Sequence, residues 1–133
     1  MGKPSLKSEH HSANRVSAMS VRLAPRKARI VVDMIRGLGV LDALSILRFT
    51  NKRGALVIEK LIESALSNIE HSDSSADVDA LRVTRAWVNE GPTMRRFMPR
   101  AQVRATRIRK RTCHIHIELD SKRGAAHKPA DKQ

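Results

Sequence analysis

The stretch from Gly91 to Arg111 combines dense positive charge with apolar residues and contains no acidic residue. An arginine guanidinium is planar and always charged, and it binds phosphate through paired hydrogen bonds. The chemistry predicted for this stretch is therefore binding to a polyanion. The apolar residues, which a purely flexible tail would not need, are Met94, Phe97, Met98, Val103 and Ile108. The basic residues are Arg95, Arg96, Arg100, Arg104, Arg107, Arg109, Lys110 and Arg111.

A second group of cations falls at the start of a predicted helix, where Arg26, Lys27 and Arg29 follow Pro25. Cations near a helix N-terminus are disfavoured by the helix dipole, by about 0.3–1 kcal/mol each. A solvated helix face that tolerates this cost is one interpretation. Contact with phosphate, whose charge outweighs the cost, is the interpretation that the net charge of the chain favours.

Residues that could support catalysis or metal binding are sparse. Cys113 is the only cysteine, so no intrachain disulfide is possible, and its place in an apolar alternation predicts a packed core thiol. His114 and His116 share one strand face, but a structural zinc site needs four ligands, so a solvated or RNA-facing pair is favoured over a metal site. The sequence contains no phosphate loop, nucleophile elbow or pair of catalytic carboxylates. We therefore predict neither enzyme activity nor a cofactor.

The whole chain of 133 residues carries a net charge of +13. This suits one domain with a polyanionic partner, either nucleic acid or an acidic membrane surface. No apolar run approaches the ~18 residues of a membrane span, and the polar start lacks a signal-peptide segment. These features predict a soluble intracellular protein without a membrane partner. Because Phe49, Trp87 and Phe97 are the only aromatic residues, the chain cannot stack a series of bases, and we expect it to recognise phosphate, sugar and shape.

Three predicted helices form the body that positions these cations. Pro25 and Gly37 bound the first helix. The second helix is short, and Thr50 is predicted to cap the third. Apolar spacing predicts the inner faces: Ala28, Val31, Val32 and Ile35 in the first helix, Ala43, Leu44 and Leu47 in the second, and Ile58, Leu61, Ile62, Ala65, Leu66 and Ile69 in the third.

Three strands are predicted from alternating apolar residues, at residues 15–23, in "LRVTRAWVNE" and in "RIRKRTCHIHIEL". The second of these is expected to place Leu81, Val83 and Trp87 on one face and Ala86 and Val88 on the other. It pairs with the last strand as an antiparallel hairpin.

The last strand changes character along one face. The apolar alternation of Leu119, Ile117, Ile115 and Cys113 continues backwards as Arg111, Arg109 and Arg107. Buried arginines without partners are strongly disfavoured, so the strand must leave the body. We predict a projecting arm from about Arg85 to Arg111, with about 13 residues per limb and a reach of roughly 40 Å at ~3.3 Å per residue. Such a ribbon is expected to be ordered only when its charges are neutralised.

Longer segments resemble a known family. "SVRLAPRKARIVVDMIRG", "ALSILRFTNKRGALVIEKLIESALSNIEH" and "VNEGPTMRRFMPRAQVRATRIRKRTCHI" closely resemble the large-subunit ribosomal protein L twenty-two family, over about residues 15–119. The resemblance implies an α+β fold, with three helices packed on a small three-stranded antiparallel sheet and a long protruding β-hairpin arm. It also implies a structural constituent of the large ribosomal subunit that binds rRNA and whose hairpin tip lines the nascent-peptide exit tunnel.

The sequence departs from the family at four positions. Members usually have Ser where Ala24 stands, often Gly for Val103 and Ser for Cys113, and in many cases Pro for Asn51. The residues predicted to bind rRNA are Arg22, Arg26, Lys27, Arg29, Lys52, Arg95, Arg96, Arg100, Arg104, Arg107, Arg109, Lys110 and Arg111. Those assigned to the tunnel tip are Met94, Phe97, Met98 and Pro99, although a small packing cluster of Met94, Phe97 and Met98 is an alternative.

The implied partners are large-subunit rRNA, neighbouring ribosomal proteins and, at the tip, the nascent polypeptide. No homo-oligomer is expected. The expected location is the ribosome of the cytoplasm, with an organellar ribosome left open. Residues 1–14 are predicted to be a disordered leader and residues 120–133 a basic, flexible tail. A DNA-bending protein with β-ribbon arms is the alternative from another class.

Overall fold

The structure, a computed structural model, describes residues 15–72 and 75–121. The predicted leader lies outside these residues, as does the predicted tail from residue 122 onwards. The elements are β1 (Arg15–Val21), α1 (Pro25–Ile35), α2 (Val40–Phe49), α3 (Arg53–Ser72), a 3₁₀ turn (Val78–Ala80), β2 (Leu81–Glu90), β3 (Met94–Arg100), β4 (Arg104–Lys110) and β5 (Cys113–Ser121). The predicted α+β fold is confirmed, although the tail cannot begin at residue 120, because β5 continues to Ser121.

The body sheet is antiparallel, with the strand order β1-β5-β2. The helices cover one of its faces. The predicted core face of β5 is confirmed, since Cys113, Ile115, Ile117 and Leu119 are at most 1% exposed.

The predicted face of β2 is wrong in part. The register shifts between Val83 and Arg85, which is a β-bulge. A bulge adds one residue to one strand, so the alternation changes phase across it. Leu81, Val83, Ala86 and Val88 therefore all face the helices and are buried, while Trp87 lies on the opposite face of the sheet.

The helices follow the apolar pattern closely. α1 begins at Pro25 without a side-chain cap from Ala24, and Gly37 after its end adopts a φ of +81°, as expected for a glycine C-terminal signal. All predicted inner residues of the three helices are buried, except Leu66, which is partly buried. The predicted cap by Thr50 is wrong. Its hydroxyl donates to the carbonyl of Ile46 and so ends α2, whereas α3 begins three residues later at Arg53.

β3 and β4 form a separate two-stranded sheet that leaves the body. Its base lies further along the chain than predicted. Residues from Arg85 to Glu90 remain paired with β5, because the bulge in β2 turns Ala86 and Val88 towards the core. We call residues 91–112 the arm. Its seven paired residues per strand correspond to about 23 Å at ~3.3 Å per residue, which is shorter than the predicted reach.

Candidate nucleic-acid interface

The arm places its cations directly opposite one another. Arg95 pairs with Arg109, and Arg100 pairs with Arg104. All eight basic residues of the arm are exposed, and no ion pair between described residues involves any of them. Like charges at directly opposed positions destabilise a two-stranded sheet. The arm therefore needs counter-charge that the described residues do not supply.

Both faces of the arm are cationic. Opposed residues share a face, so Arg95, Arg107 and Arg109 lie on one side, and Arg96, Arg100, Arg104 and Lys110 on the other. A single flat contact could neutralise only one of these faces. The geometry thus suits a partner that surrounds the arm.

The apolar residues of the arm do not form one cluster. Phe97 lies on the opposite face from Met94 and Met98, and it is 70% exposed. The packing-cluster interpretation is therefore wrong. Met94 is also misplaced as a tip residue, because it pairs with Lys110 at the end of the ribbon nearest the body, whereas Pro99 pairs with Ala105 close to the turn.

The turn at the tip has an unusual backbone. Gln102 and Val103 have φ values of +65° and +59°, and Val103 is fully exposed. Left-handed backbone is unfavourable for β-branched residues, because the branched side chain crowds the backbone. Val103, at a position where family members often have glycine, is therefore strained.

A tight neck joins the arm to the body. The Gly91 amide donates to the carbonyl of Thr112 at 2.9 Å, and the Thr112 hydroxyl donates to the carbonyl of Pro92 at 2.6 Å. A Cβ atom at Gly91 would lie 2.5 Å from the Thr112 Oγ1. Only glycine allows the two limbs to approach this closely, so the neck fixes where the arm leaves the sheet.

The body carries a second cationic region, where the N-termini of α1 and α3 meet. A groove of about 360 Å³ there is lined by Lys27, Lys52 and Arg53, with Leu23 and Ile30 as its apolar residues. The structure thus brings Lys27 and Lys52 together. Arg53 was missed by the sequence analysis, although its place directly after Lys52 was an available signal. Arg22 and Arg26 are exposed on the same part of the chain, outside this lining.

Arg29 has a partner within the protein. Its Nη2 donates to the carbonyl of Val88 at 3.3 Å, at the edge of β2. Arg36 binds the carbonyl of Ala86 through Nε and Nη2, at 3.1 and 2.8 Å, and pairs with Asp33 at 2.9 Å.

Burial raises the pKa of the Cys113 thiol, and the charge of Arg29 opposes this rise only in part. The prediction that Cys113 is a packed core thiol is confirmed by its complete burial.

The histidine pair belongs to a polar cluster on the outer face of the sheet. His116 Nδ1 lies 2.7 Å from the Ser17 hydroxyl, and the Ser20 amide donates to His114 Nδ1 at 2.8 Å. Trp87 stacks on His116 with ring centroids 5.1 Å apart. Of the two alternatives predicted for this pair, solvation is wrong for His116, which is only 8% exposed, and contact with RNA stays a prediction.

The surroundings of His116 favour its neutral form. Burial lowers its pKa, the charges of Arg15 and His114 lower it further, and Glu118 acts in the opposite direction. Within residues 15–72 and 75–121, no group of three or more His, Cys, Asp or Glu side chains could hold a metal ion.

An α+β body and a two-stranded arm whose exposed cations form no ion pair with any described residue are typical of a ribosomal protein. The protein family described as "Ribosomal protein L22p/L17e" matches residues 16–120 of this chain, and the chain belongs to this family. The chain is 51% identical to the large ribosomal subunit protein uL22 of Macrococcus caseolyticus (strain JCSC5402) over 105 residues. These aligned residues make up 79% of this chain and 84% of that protein.

The resemblance inferred from the sequence is thus confirmed. The family is one of ribosomal proteins rather than of enzymes or DNA-bending proteins. No helix in the described part of the chain is long and apolar enough to cross a membrane.

Proposed function

We propose that this protein is a structural constituent of the large ribosomal subunit and binds rRNA through its arm and the cations of its body. The observation that carries the proposal is the pairing of Arg95 with Arg109 and of Arg100 with Arg104, with no acidic residue in the arm. Phosphate groups supply the counter-charge that these pairs lack. Folded RNA also supplies it from several directions, as the two cationic faces of the arm require.

The mechanism is electrostatic and cooperative with folding. Each Lys or Arg that neutralises a phosphate releases condensed counterions, so binding weakens steeply as salt rises. In the free protein the arm is a two-stranded ribbon of marginal stability. Contact with rRNA removes the repulsion between opposed arginines, and the arm becomes ordered as it binds. The neck at Gly91 and Thr112 fixes the direction of the arm relative to the body, so binding of the body to rRNA also positions the tip.

The tip of the arm, formed by residues near Met98, Pro99 and Val103, is proposed to line the exit tunnel and face the nascent polypeptide. Phe97 and Met98 are exposed and uncharged, so they add little to long-range attraction for RNA. A surface of this kind suits a passage through which many peptide sequences move. Neighbouring ribosomal proteins are the remaining proposed partners, and ribosomes of the cytoplasm are the proposed location.

Tagged protein in a lysate tests the assignment to the large subunit. Sedimentation should place it with the large subunit and with translating ribosomes. Sedimentation as a free protein, or with DNA, would contradict the proposal.

The tunnel assignment needs a separate test. Residues 99–105 can be replaced by a short Asn-Gly turn, which joins the paired residues Met98 and Thr106, shortens the arm and keeps its register down to the neck. Large subunits should still assemble, with altered crosslinking between a stalled nascent peptide and the tunnel wall. Normal assembly with unchanged crosslinks would show that the tip lies elsewhere.

A further inference from the structure

The junction between α2 and α3 exposes an aromatic ring that the arm and the groove at the helix N-termini do not involve. Phe49, the last residue of α2, is 92% exposed, and Leu56 in the first turns of α3 is 64% exposed. Both line a concavity of about 510 Å³, together with Lys52 and Arg53. Exposure of a whole aromatic side chain forgoes roughly 1.5–3 kcal/mol of burial in the free protein.

The local structure holds Phe49 outside the core. Leu47, two residues earlier, takes the buried position at this end of α2 and is 2% exposed. The Thr50 hydroxyl then bonds the carbonyl of Ile46 and ends the helix. With Leu47 filling the core at this end of α2, the ring of Phe49 lies on the surface, beside Arg53 and Leu56 of α3.

The cations around this concavity differ in whether they already form ion pairs within the protein. Arg48 is bound by Glu59 at 3.0 Å and by Glu63 at 3.9 Å. Lys52 and Arg53 are exposed and form no ion pair with any described residue. The concavity therefore offers one flat apolar ring, one aliphatic side chain and two cations without partners.

A nucleotide matches this set of groups better than a peptide does. Its base provides a flat surface for an aromatic ring, and its phosphate provides the charge for neighbouring cations. An apolar peptide segment would leave Lys52 and Arg53 unpaired at the edge of the contact. An acidic peptide would leave the ring of Phe49 without an equally flat partner.

We propose that Phe49 is a stacking platform for a single unpaired base of rRNA, with Lys52 and Arg53 binding the adjacent phosphates. The proposal rests on the proposed function, since it requires that the protein bind rRNA. It differs from recognition of phosphate and shape, because it gives the protein one contact that depends on an unstacked base. Leu56 provides apolar contact beside the base and is not the platform itself.

Zero-length ultraviolet crosslinking of large subunits, followed by mass spectrometry, tests the contact directly. A base stacked on Phe49 should give a nucleotide adduct on the tryptic peptide that starts at Phe49. Purified protein and transcribed large-subunit rRNA give the affinity. Phe49→Ala should weaken binding on the order of 5- to 150-fold, from the effect of removing one base-stacking ring. Phe49→Trp keeps an aromatic ring and should retain the affinity for rRNA. Phe49→Leu keeps apolar volume without the ring, so its affinity should fall nearly as far as that of Phe49→Ala.

Leu56→Ala is the matched control, because it removes an exposed apolar side chain from the same concavity and should change affinity much less. Equal losses for Phe49→Leu and Leu56→Ala would overturn the stacking proposal. So would adducts in the arm without any at Phe49, and so would a crosslink from Phe49 to another ribosomal protein. These outcomes leave rRNA binding intact, whereas absence of all rRNA adducts would instead contradict the proposed function.

Discussion

Replacement of Val103 by glycine should make the arm of the free protein more ordered. Val103 has a φ of +59° and is fully exposed, so its substitution removes a backbone penalty without removing any packing. The left-handed conformation costs an L-residue about 1–2 kcal/mol. Glycine avoids this cost but gives the unfolded chain more freedom, which offsets about 0.5–1 kcal/mol. With mid-range values for both terms, the net gain is about 0.5–1 kcal/mol, or roughly a 2- to 5-fold larger ordered population.

Amide hydrogen exchange in the absence of RNA measures this population. Protection of the amides in β3 and β4 should rise by the same 2- to 5-fold factor, since local opening sets their exchange rates. Amides of α3 in the body should not change and serve as an internal control. Val103→Ala keeps the left-handed penalty and removes only the branching, so it should recover a small part of the effect. Unchanged or lower protection of β3 and β4 in Val103→Gly would refute the assignment of strain to this residue.

Three other predictions follow from the neck, the histidine cluster and the arm. Gly91→Ala places a Cβ 2.5 Å from the Thr112 Oγ1 and should lower the free energy of unfolding by about 1–3 kcal/mol in chemical denaturation; an unchanged midpoint would show that the neck adjusts easily. His116 has a pKa below its ordinary value of 6.5, so the unfolded chain binds its proton more readily, and the free energy of unfolding should fall as the pH drops below about 6.5. His116→Gln should reduce this fall, and an unchanged pH dependence in that variant would show that His116 does not cause it. Replacing Arg109, Lys110 and Arg111 together should flatten the salt dependence of rRNA binding by up to about three units, and an unaltered slope would place them away from phosphate.

The sequence was most informative where one physical rule decides the structure. Burial of one helix face predicted nearly all inner residues of α1, α2 and α3. The same reasoning applied to β5 predicted that its cationic continuation leaves the body, because no core accommodates Arg107, Arg109 and Arg111 unpaired.

The errors arose where the outcome depends on a partner distant in sequence. The bulge after Val83 is defined by the pairing of β2 with β5, and it moved both the face of Trp87 and the base of the arm. Thr50 lies between two helices, and a hydroxyl at such a position can serve either one. His116 looked solvated in the alternation, but Trp87 and Ser17 come from other strands to cover it. The sequence also did not reveal which cations are already bound within the protein, since Arg29 and Arg36 donate to carbonyls that only the folded sheet presents.

Those two arginines have a further consequence. The outer edge of β2 has no neighbouring strand within the described fold, yet four of its backbone groups have partners from elsewhere in the protein. Gly37 donates to the carbonyl of Val83, the Val83 amide donates to Leu38, and the carbonyls of Ala86 and Val88 accept from Arg36 and Arg29. An exposed strand edge is a template for aggregation, because another chain can extend the sheet there. Because these four groups already have partners, the edge offers fewer hydrogen bonds to a second copy of the chain, which lowers the tendency of free copies to extend one another's sheets.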